Sequence, residues 1–375
     1  METKVALKDI AKLFLKLGFI GFGGPAAHIA MMQQEVVVKR QWLSEQHFLD
    51  LLGATHLIPG PNSTEMAIHI GHEKGGWKGL IVAGLCFILP AVFITGTLAW
   101  LYKQYGQLPE VQPFVYGIKP AIIAIILGAI VPLAKKALQS TELVIIGVLV
   151  LLLSLLDFNE IYLLFGAGFL ALFWHASRNK NNLTVFFPLS FLQITTSTLL
   201  TATNANLFWI FLKIGAVLYG SGYVLFAFLD TELVATGLMS RQTLVDAIAV
   251  GQFTPGPVFS AVTFIGYQIN GWSGAVVSTI AIFFPSFVFV AMLNPLVKKM
   301  RNNKLLVVFL DAVNVASVAI IVAVCCKMGK ETITDWRTVL IALLGIVMVF
   351  RFQKTNSAFV VVGGAVLGYL LYLIP

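Results

Sequence analysis

Charge is scarce in this chain. Asp, Glu, Lys and Arg make up 11% of its 375 residues, against 58% hydrophobic residues and a mean hydropathy of +0.89. A soluble domain carries about 25% charged residues, so a water-facing surface of this size could not be covered, and a soluble globular fold is excluded. Cysteine is scarce too. Cys86, Cys325 and Cys326 lie in or at the end of apolar runs without metal-ligand spacing, which argues against a disulfide framework or a thiolate metal site. No nucleophile elbow, phosphate-binding loop or ATPase motif occurs. The chain is therefore not expected to be an enzyme, no cofactor or metal is expected, and active transport would have to draw on a gradient or a partner. No small-residue cleavage site follows a short apolar stretch after the lysine-rich start, so no cleavable signal peptide is expected. The formal net charge is +8, yet there is no RNA-binding motif and no basic-aromatic stripe. The cations sit in short loops, Lys135-Lys136 and Lys298-Lys299-Met300-Arg301, as the positive-inside bias of membrane proteins produces, and no nucleic acid partner is expected.

What fills the sequence instead is apolar segments, and they are written twice. Phe14-Leu15-Lys16-Leu17-Gly18 returns as Phe211-Leu212-Lys213-Ile214-Gly215, and Phe22-Gly23-Gly24 as Tyr219-Gly220-Ser221. Pro59-Gly60-Pro61 returns as Pro255-Gly256-Pro257, Gly76-Trp77 as Gly271-Trp272, and Pro90 as Pro285. The offset drifts only from 197 to 195, which chance does not readily produce. Residues 1–176 are expected to form a first repeat, 177–206 a linker, and 207–375 a second repeat. Apolar segments fall near 13–31, 48–70, 77–102, 114–133, 143–156 and 161–174, and near 207–228, 244–267, 273–293, 305–326, 338–350 and 358–374. The last two of each set are short for a span of about 20 residues. The reading is an all-α, polytopic integral membrane helical bundle of about 10–12 spans, with broken or re-entrant helices. Its surroundings are the lipid bilayer, and a homodimer is left open.

Loop charges argue that the repeats are inverted. Loop 294–304 carries Lys298, Lys299, Arg301 and Lys304, while its counterpart 103–113 carries Lys103 against Glu110. Loops 135–142 and 351–354 are basic and 157–160 is acidic, which suits basic loops on the cytoplasmic side. Inversion requires an odd number of crossings per half. One broken segment is then expected to be a re-entrant hairpin, the Gly-Gly-Pro one being favoured, and the lysine-rich start would face outward.

The chemistry-bearing motifs are helix breaks. Gly23-Gly24-Pro25 interrupts a helix because proline lacks an N–H and disfavours α geometry before it, and the break recurs at Gly220-Ser221-Gly222. In lipid such a break survives only inside protein or against water, and the N–H groups it bares attract anions. A packing kink is the alternative. Pro59-Gly60-Pro61 stops one helix and presets another, placing Asn62, Ser63 and Thr64 at the new start. Pro255-Gly256-Pro257 does the same ahead of Ser260 and Thr263. Discontinuous helices of this kind form substrate sites in many transporters.

Ionisable groups stand near the breaks. Lys16 and Lys213 each precede a break glycine, Gly23 or Gly220, by seven residues, which would put lysine and glycine on one helix face about 10 Å apart. Snorkelling to the interface is the competing reading. His28 and Glu65 are candidates to carry a coupling proton, a hydrogen-bonded structural role being the equal alternative for His28, and Ala261 stands where a second Glu65 would be. Asp50 and Asp246 match, each following a candidate N-cap serine, Ser44 or Ser240, and read as structural. His69 and His72 beside Glu73 make no clear tetrahedral set.

Three stretches resemble the signatures of the chromate ion transporter family: Phe22-Gly23-Gly24-Pro25, Leu57 to Ala67 around Pro59-Gly60-Pro61, and Gln252 to Phe259 around Pro255-Gly256-Pro257. The likeness covers about Phe14 to Gly266 and matches the long, two-domain form. It implies export of chromate across the bacterial inner membrane, with sulfate as a structural relative. The chain departs from the pattern at Tyr219-Gly220-Ser221-Gly222-Tyr223, where Phe-Gly-Gly-Gly-Tyr is expected and Ser221 adds a hydroxyl. The expected function is secondary transport of chromate or a related oxyanion, conferring resistance. Transport of another small inorganic or organic anion, or a membrane scaffold without transport, are the rivals. The expected substrate site comprises Lys16, Lys213, the breaks Gly23-Gly24-Pro25 and Gly220-Ser221-Gly222, both Pro-Gly-Pro motifs, and Asn62, Ser63, Thr64 and Ser260.

Overall fold

The computed structural model describes residues 5–106, 108–178, 203–219, 222–293, 303–352 and 356–373. Among these residues the chain forms fourteen α-helices, seven in each half. The first half holds α1 (Leu7–Ile20), α2 (Gly24–Gln33), α3 (Glu45–Thr55), α4 (Asn62–Tyr105), α5 (Gln112–Ala137), α6 (Thr141–Leu155) and α7 (Glu160–Arg178). The second repeats the order as α8 (Asn204–Val217), α9 (Val224–Leu229), α10 (Arg241–Phe253), α11 (Ala261–Leu293), α12 (Lys304–Thr332), α13 (Trp336–Arg351) and α14 (Ser357–Tyr372). A short π-helical turn follows α2 at Gln34–Lys39 and α9 at Asp230–Val234. Of the linker expected over 177–206, residues 179–202 lie outside the described residues.

Local chemistry starts many of these helices. Ser44 and Ser240 cap α3 and α10 as expected, each hydroxyl accepting from a backbone N–H three residues on. Gly76 (φ +60°) interrupts α4, and Gly271 (φ +61°) interrupts α11. At these points the helix doubles back. A Cβ on Gly71 would strike the Gly79 carbonyl and one on Gly266 that of Gly274, although residues eight apart on a straight helix lie about 12 Å apart. Each of α4 and α11 is thus a hairpin with a short arm and a long arm. Small residues allow this approach, as in membrane helix pairs generally.

The long arms decide the topology. Gly84 on α4 abuts Phe287, and Gly96 abuts Trp272, so the long arm of α4 runs antiparallel to its counterpart in α11. Equivalent helices lying side by side in opposite directions require a two-fold axis across them, and the halves are therefore inverted. The remaining helices are exchanged about the same axis. α5 packs on α13 and α14, with Gly117 against Gly364 and Gly368 and Ala124 against Gly345. α12 packs on α6 and α7, with Val315 against Gly147 and Phe309 against Gly168. α4, α5, the apolar stretch of α7, α11 with its leading turn, and α12 are long and apolar enough to cross a membrane.

Two expectations are corrected. Both broken segments fold back in each half, not one. Lys16 reaches Glu35, nineteen residues on and beyond the break, and His47 reaches Glu73, so α2 returns along α1 and α3 lies along the short arm of α4. An inverted pair then needs α7 to end and α8 to begin at opposite ends of the bundle, and it does. Glu160 at the start of α7 meets Thr231, and Asn204 at the start of α8 meets Asn270 beside the α11 turn. The lysine-rich start, described from Val5 on, is also not opposite the basic loop at 135–142. Val5 N–H donates to the Lys74 carbonyl at 2.9 Å, at the α4 hairpin tip. Tyr102 near the far end of α4 and Lys119 near the start of α5 both reach Asp246, at 2.6 and 3.5 Å. α5 has 26 residues, about 39 Å, which carries Lys135 and Lys136 back to the end where α1 begins. Of the basic loops 294–304 and 351–354, residues 294–302 and 353–354 fall outside the described residues.

Candidate functional site

The breaks of the two halves interlock. Gly60 N–H donates to the Leu218 carbonyl at 2.8 Å, and Gly256 N–H donates to the Gly21 carbonyl at 2.7 Å. Leu218 and Gly21 are the residues that end α8 and α1. Each Pro-Gly-Pro loop thus satisfies a carbonyl that the broken helix of the other half leaves without an intrahelical partner. This is how irregular backbone can persist in a chain surrounded by lipid. Pro59, Gly60, Pro61, Pro255, Gly256 and Pro257 are all buried. Gly60 (φ +135°) and Gly256 (φ +87°) adopt the left-handed conformation that glycine tolerates.

The helices that open at these loops are uncapped. α4 follows Pro61, the 3-10 turn Val258–Ser260 that leads into α11 follows Pro257, and α2 follows Gly23, all without a side-chain cap. α1, α5 and α9 also start without one, whereas α3, α6, α8, α10, α12, α13 and α14 each have a Ser, Thr, Asn or Asp cap. An uncapped start leaves N–H groups and the positive end of the helix dipole available to an anion.

The side chains around α4 form a knot. Ser63 Oγ lies 3.2 Å from His28 Nδ1, and His28 Nε2 donates to the Gly21 carbonyl at 2.9 Å. The same carbonyl receives Gly256 N–H, so His28 and the second Pro-Gly-Pro loop meet at one oxygen, and Ser63 joins through His28. Asn62 donates to His56 Nδ1 at 3.0 Å. Thr64 Oγ1 is buried without a partner among the described residues. Glu65 is buried too. Its Oε1 accepts from Ser286 of the other half at 3.5 Å, and its Oε2 has no partner among the described residues. On the second-half side, Thr95 donates to Ser260 at 3.3 Å, and Thr263 pairs with Thr279 at 2.7 Å. Gly23 is exposed, Gly24 and Pro25 are half-buried, and Gly222 is half-buried ahead of α9. Gly220 and Ser221 lie outside the described residues.

The expected lysine geometry is corrected. α1 ends at Ile20, so Lys16 and Gly23 share no helix face. α8 likewise ends at Val217, short of the second break. The fold-back instead brings a glutamate to each lysine. Lys16 Nζ lies 2.9 Å from Glu35 and Lys213 Nζ 2.6 Å from Glu232. The two pairs share the same nineteen-residue separation, and both glutamates stand on the π-helical turns. Glu35 also binds Lys39 at 3.0 Å and Arg40. Burial opposes its charge, but Lys16, Lys39 and Arg40 outweigh burial and hold its carboxyl down at about 2. Sequence reasoning passed over these glutamates, although Glu35 and Glu232 keep the same 197-residue offset as the lysines. Ser286, adjacent to the repeat-matched Pro285, was equally legible as a candidate.

Asp50 and Asp246 separate. Asp50 accepts from Gln46 on the exposed side of α3, whereas Asp246 is buried between Tyr102 and Lys119. No group of three His, Cys, Asp or Glu able to hold a metal occurs among the described residues. His72 packs edge-on against Trp77.

A family model described as chromate transporter matches residues 8–172 and again 205–369. A chromate transport protein of Cupriavidus metallidurans is 31% identical over 374 residues, covering 98% of this chain and 93% of the relative. A probable chromate transport protein of Synechococcus elongatus is 30% identical, covering 98% and 96%. An uncharacterized transporter of Methanocaldococcus jannaschii is 27% identical, covering 97% and 94%. No solved structure matches the chain.

Proposed function

This chain belongs to the chromate transporter family, and on that premise we propose that it is a secondary transporter carrying chromate, with sulfate-like dianions second, outward across the cytoplasmic membrane. The observation that carries the reading is the crossed pair of buried Pro-Gly-Pro loops with uncapped helix starts. Each helix start offers roughly half a positive charge, held in place by the other half. Hydrogen-bond donors replace the anion's hydration. Thr64, whose buried hydroxyl has no partner among the described residues, is the side chain readiest to donate, joined by Asn62, Ser63 and Ser260 as they exchange internal bonds for the anion. Lys16 and Lys213 are already matched by glutamates, and we assign them to holding the fold-backs. Rocking one inverted half against the other would expose the site to each side in turn.

The direct test is uptake of labelled chromate by proteoliposomes holding the full-length chain. Saturable flux that competing sulfate reduces, and that heat inactivation removes, is the expected result. Flux no greater than in the heat-inactivated control, for chromate and sulfate alike, would favour the scaffold reading.

A further inference from the structure

We propose that Glu65 is the one proton-binding group of the transport cycle, and that an anion occupies the start of α4 only while the Glu65 carboxyl carries a proton. This deepens the reading above and rests on it. The carboxyl is fully buried one turn into α4 and lies against the backbone of Gly60 in the Pro-Gly-Pro loop. Ser286 Oγ at 3.5 Å is its hydrogen-bond partner, its Oε2 has none, and none of the ion pairs among the described residues includes it. Among the described residues, His69 stands one turn further along α4, His28 of α2 reaches Ser63 in the same turn, and Tyr219 follows the Leu218 carbonyl that Gly60 meets. None is a fixed cation. His28 donates through Nε2 to the Gly21 carbonyl, and its Nδ1 lies 3.2 Å from the Ser63 hydroxyl. A carboxyl buried without a counter-ion favours the neutral acid.

Comparison of the repeats shows that the group is unique. Counting from the matched prolines, Ala261 takes the place of Glu65 and Ala91 the place of Ser286. The geometry corresponds as well: Gly60 packs against Glu65 and Ser286, and Gly256 packs against Ala91. Both members of the pair are missing together from the symmetry-related position, while the crossed backbone bonds are present in both. The scaffold therefore does not need the pair, and its presence in one copy points to a task performed once per cycle.

The coupling follows from electrostatics. An anion at the α4 start and an ionised Glu65 one turn away repel each other in a medium that screens poorly. A proton passing from water to the Glu65 carboxylate removes the repulsion, and the anion binds. When the site opens to the other side, the anion leaves and the proton returns to water. Anion and proton thus move in the same direction, one proton per cycle, and the carrier returns with Glu65 ionised or exchanges a second proton and anion.

The test uses the purified full-length chain. Chromate affinity is measured by calorimetry across pH, with sulfate, dianionic throughout, as the probe that separates titration of the site from titration of chromate. Wild-type affinity for sulfate should fall roughly tenfold per pH unit once the proton is being lost, as one-proton linkage requires. In proteoliposomes with the membrane potential clamped, anion entry should acidify a trapped dye. Glu65→Gln mimics the protonated acid. It should keep binding and anion-for-anion exchange, lose the pH dependence to within about twofold, and carry no proton. Ser286→Ala should keep coupling with its pH profile displaced. Proton entry with anion in Glu65→Gln, or loss of binding in a variant of unchanged melting temperature, overturns the proposal. If Glu65→Gln does not fold, the Ser286→Ala profile decides: displaced supports the proposal, unchanged overturns it. A wild type that binds and moves neither anion overturns the transport reading as well. A wild type that moves anion while Glu65→Gln remains proton-coupled overturns this proposal alone.

Discussion

The two halves share one fold and differ in chemistry. Each has a lysine–glutamate pair across a fold-back, a π-helical turn under the glutamate, a hairpin turned at a glycine, and a Pro-Gly-Pro amide bonded to the other half. The first half alone adds Glu65, and it surrounds Glu35 with Lys39 and Arg40. The second half alone buries its matched aspartate, Asp246, against Lys119 and Tyr102. What is duplicated is what any inverted pair needs in order to hold broken helices and alternate between two states. What is not duplicated marks the roles that one copy performs for both.

The comparison can be broken most severely at the shared glycines. Gly60→Leu and Gly256→Leu should each abolish chromate flux, because a side chain at these φ values both strains the backbone and fills packed space. At Gly60 the side chain would strike the Glu65 carboxyl and the Ser286 hydroxyl, and at Gly256 the Ala91 methyl with backbone carbonyls beyond it. Near-normal flux in a normally expressed Gly60→Leu protein would reduce the breaks to kinks.

The aspartates should separate next. Asp246→Ala leaves Lys119 buried without its partner and should cost about 3–5 kcal/mol, read as a large loss of melting temperature in detergent. Asp50→Ala should cost less than about 0.5 kcal/mol. Equal losses would mean that the burial difference between the halves carries no energetic weight.

A smaller contrast is expected at the lysines. Lys213→Gln deprives a largely buried Glu232 of its partner, while Lys16→Gln leaves Glu35 with Lys39 and Arg40. Losses of roughly 1–3 and under 1 kcal/mol are expected, with chromate dissociation constants changed less than about twofold in both. A large loss of affinity in either would return that lysine to the anion site. The mildest test leaves flux intact. Single cysteines at Lys8 and Lys136 should both be shielded from an impermeant thiol reagent in whole cells, and one at Glu110 should be labelled. Opposite labelling of Lys8 and Lys136 would break the end assignment.

Much of this was legible in the chain itself. The paired Pro-Gly-Pro motifs, the hairpin glycines Gly76 and Gly271, and the caps Ser44 and Ser240 are local backbone chemistry, and they stand where the sequence pattern puts them. The inversion was legible from loop charge, because lysine and arginine distribute by side. The direction of the chain after each break was not legible. Whether α2 continues α1 or returns along it depends on where Glu35 finds Lys16, and a glycine permits either course.

By itself, then, the sequence determined the solvent of the protein, its duplication and the places where its helices break, since composition, repeat spacing and the stereochemistry of Gly and Pro act within a few residues. Tertiary structure alone decided which groups satisfy the broken ends. Gly60 meets Leu218, Gly256 meets Gly21 and Glu65 meets Ser286 across more than 150 residues of chain. Such partners are chosen by how two inverted halves pack, and no local pattern encodes that choice.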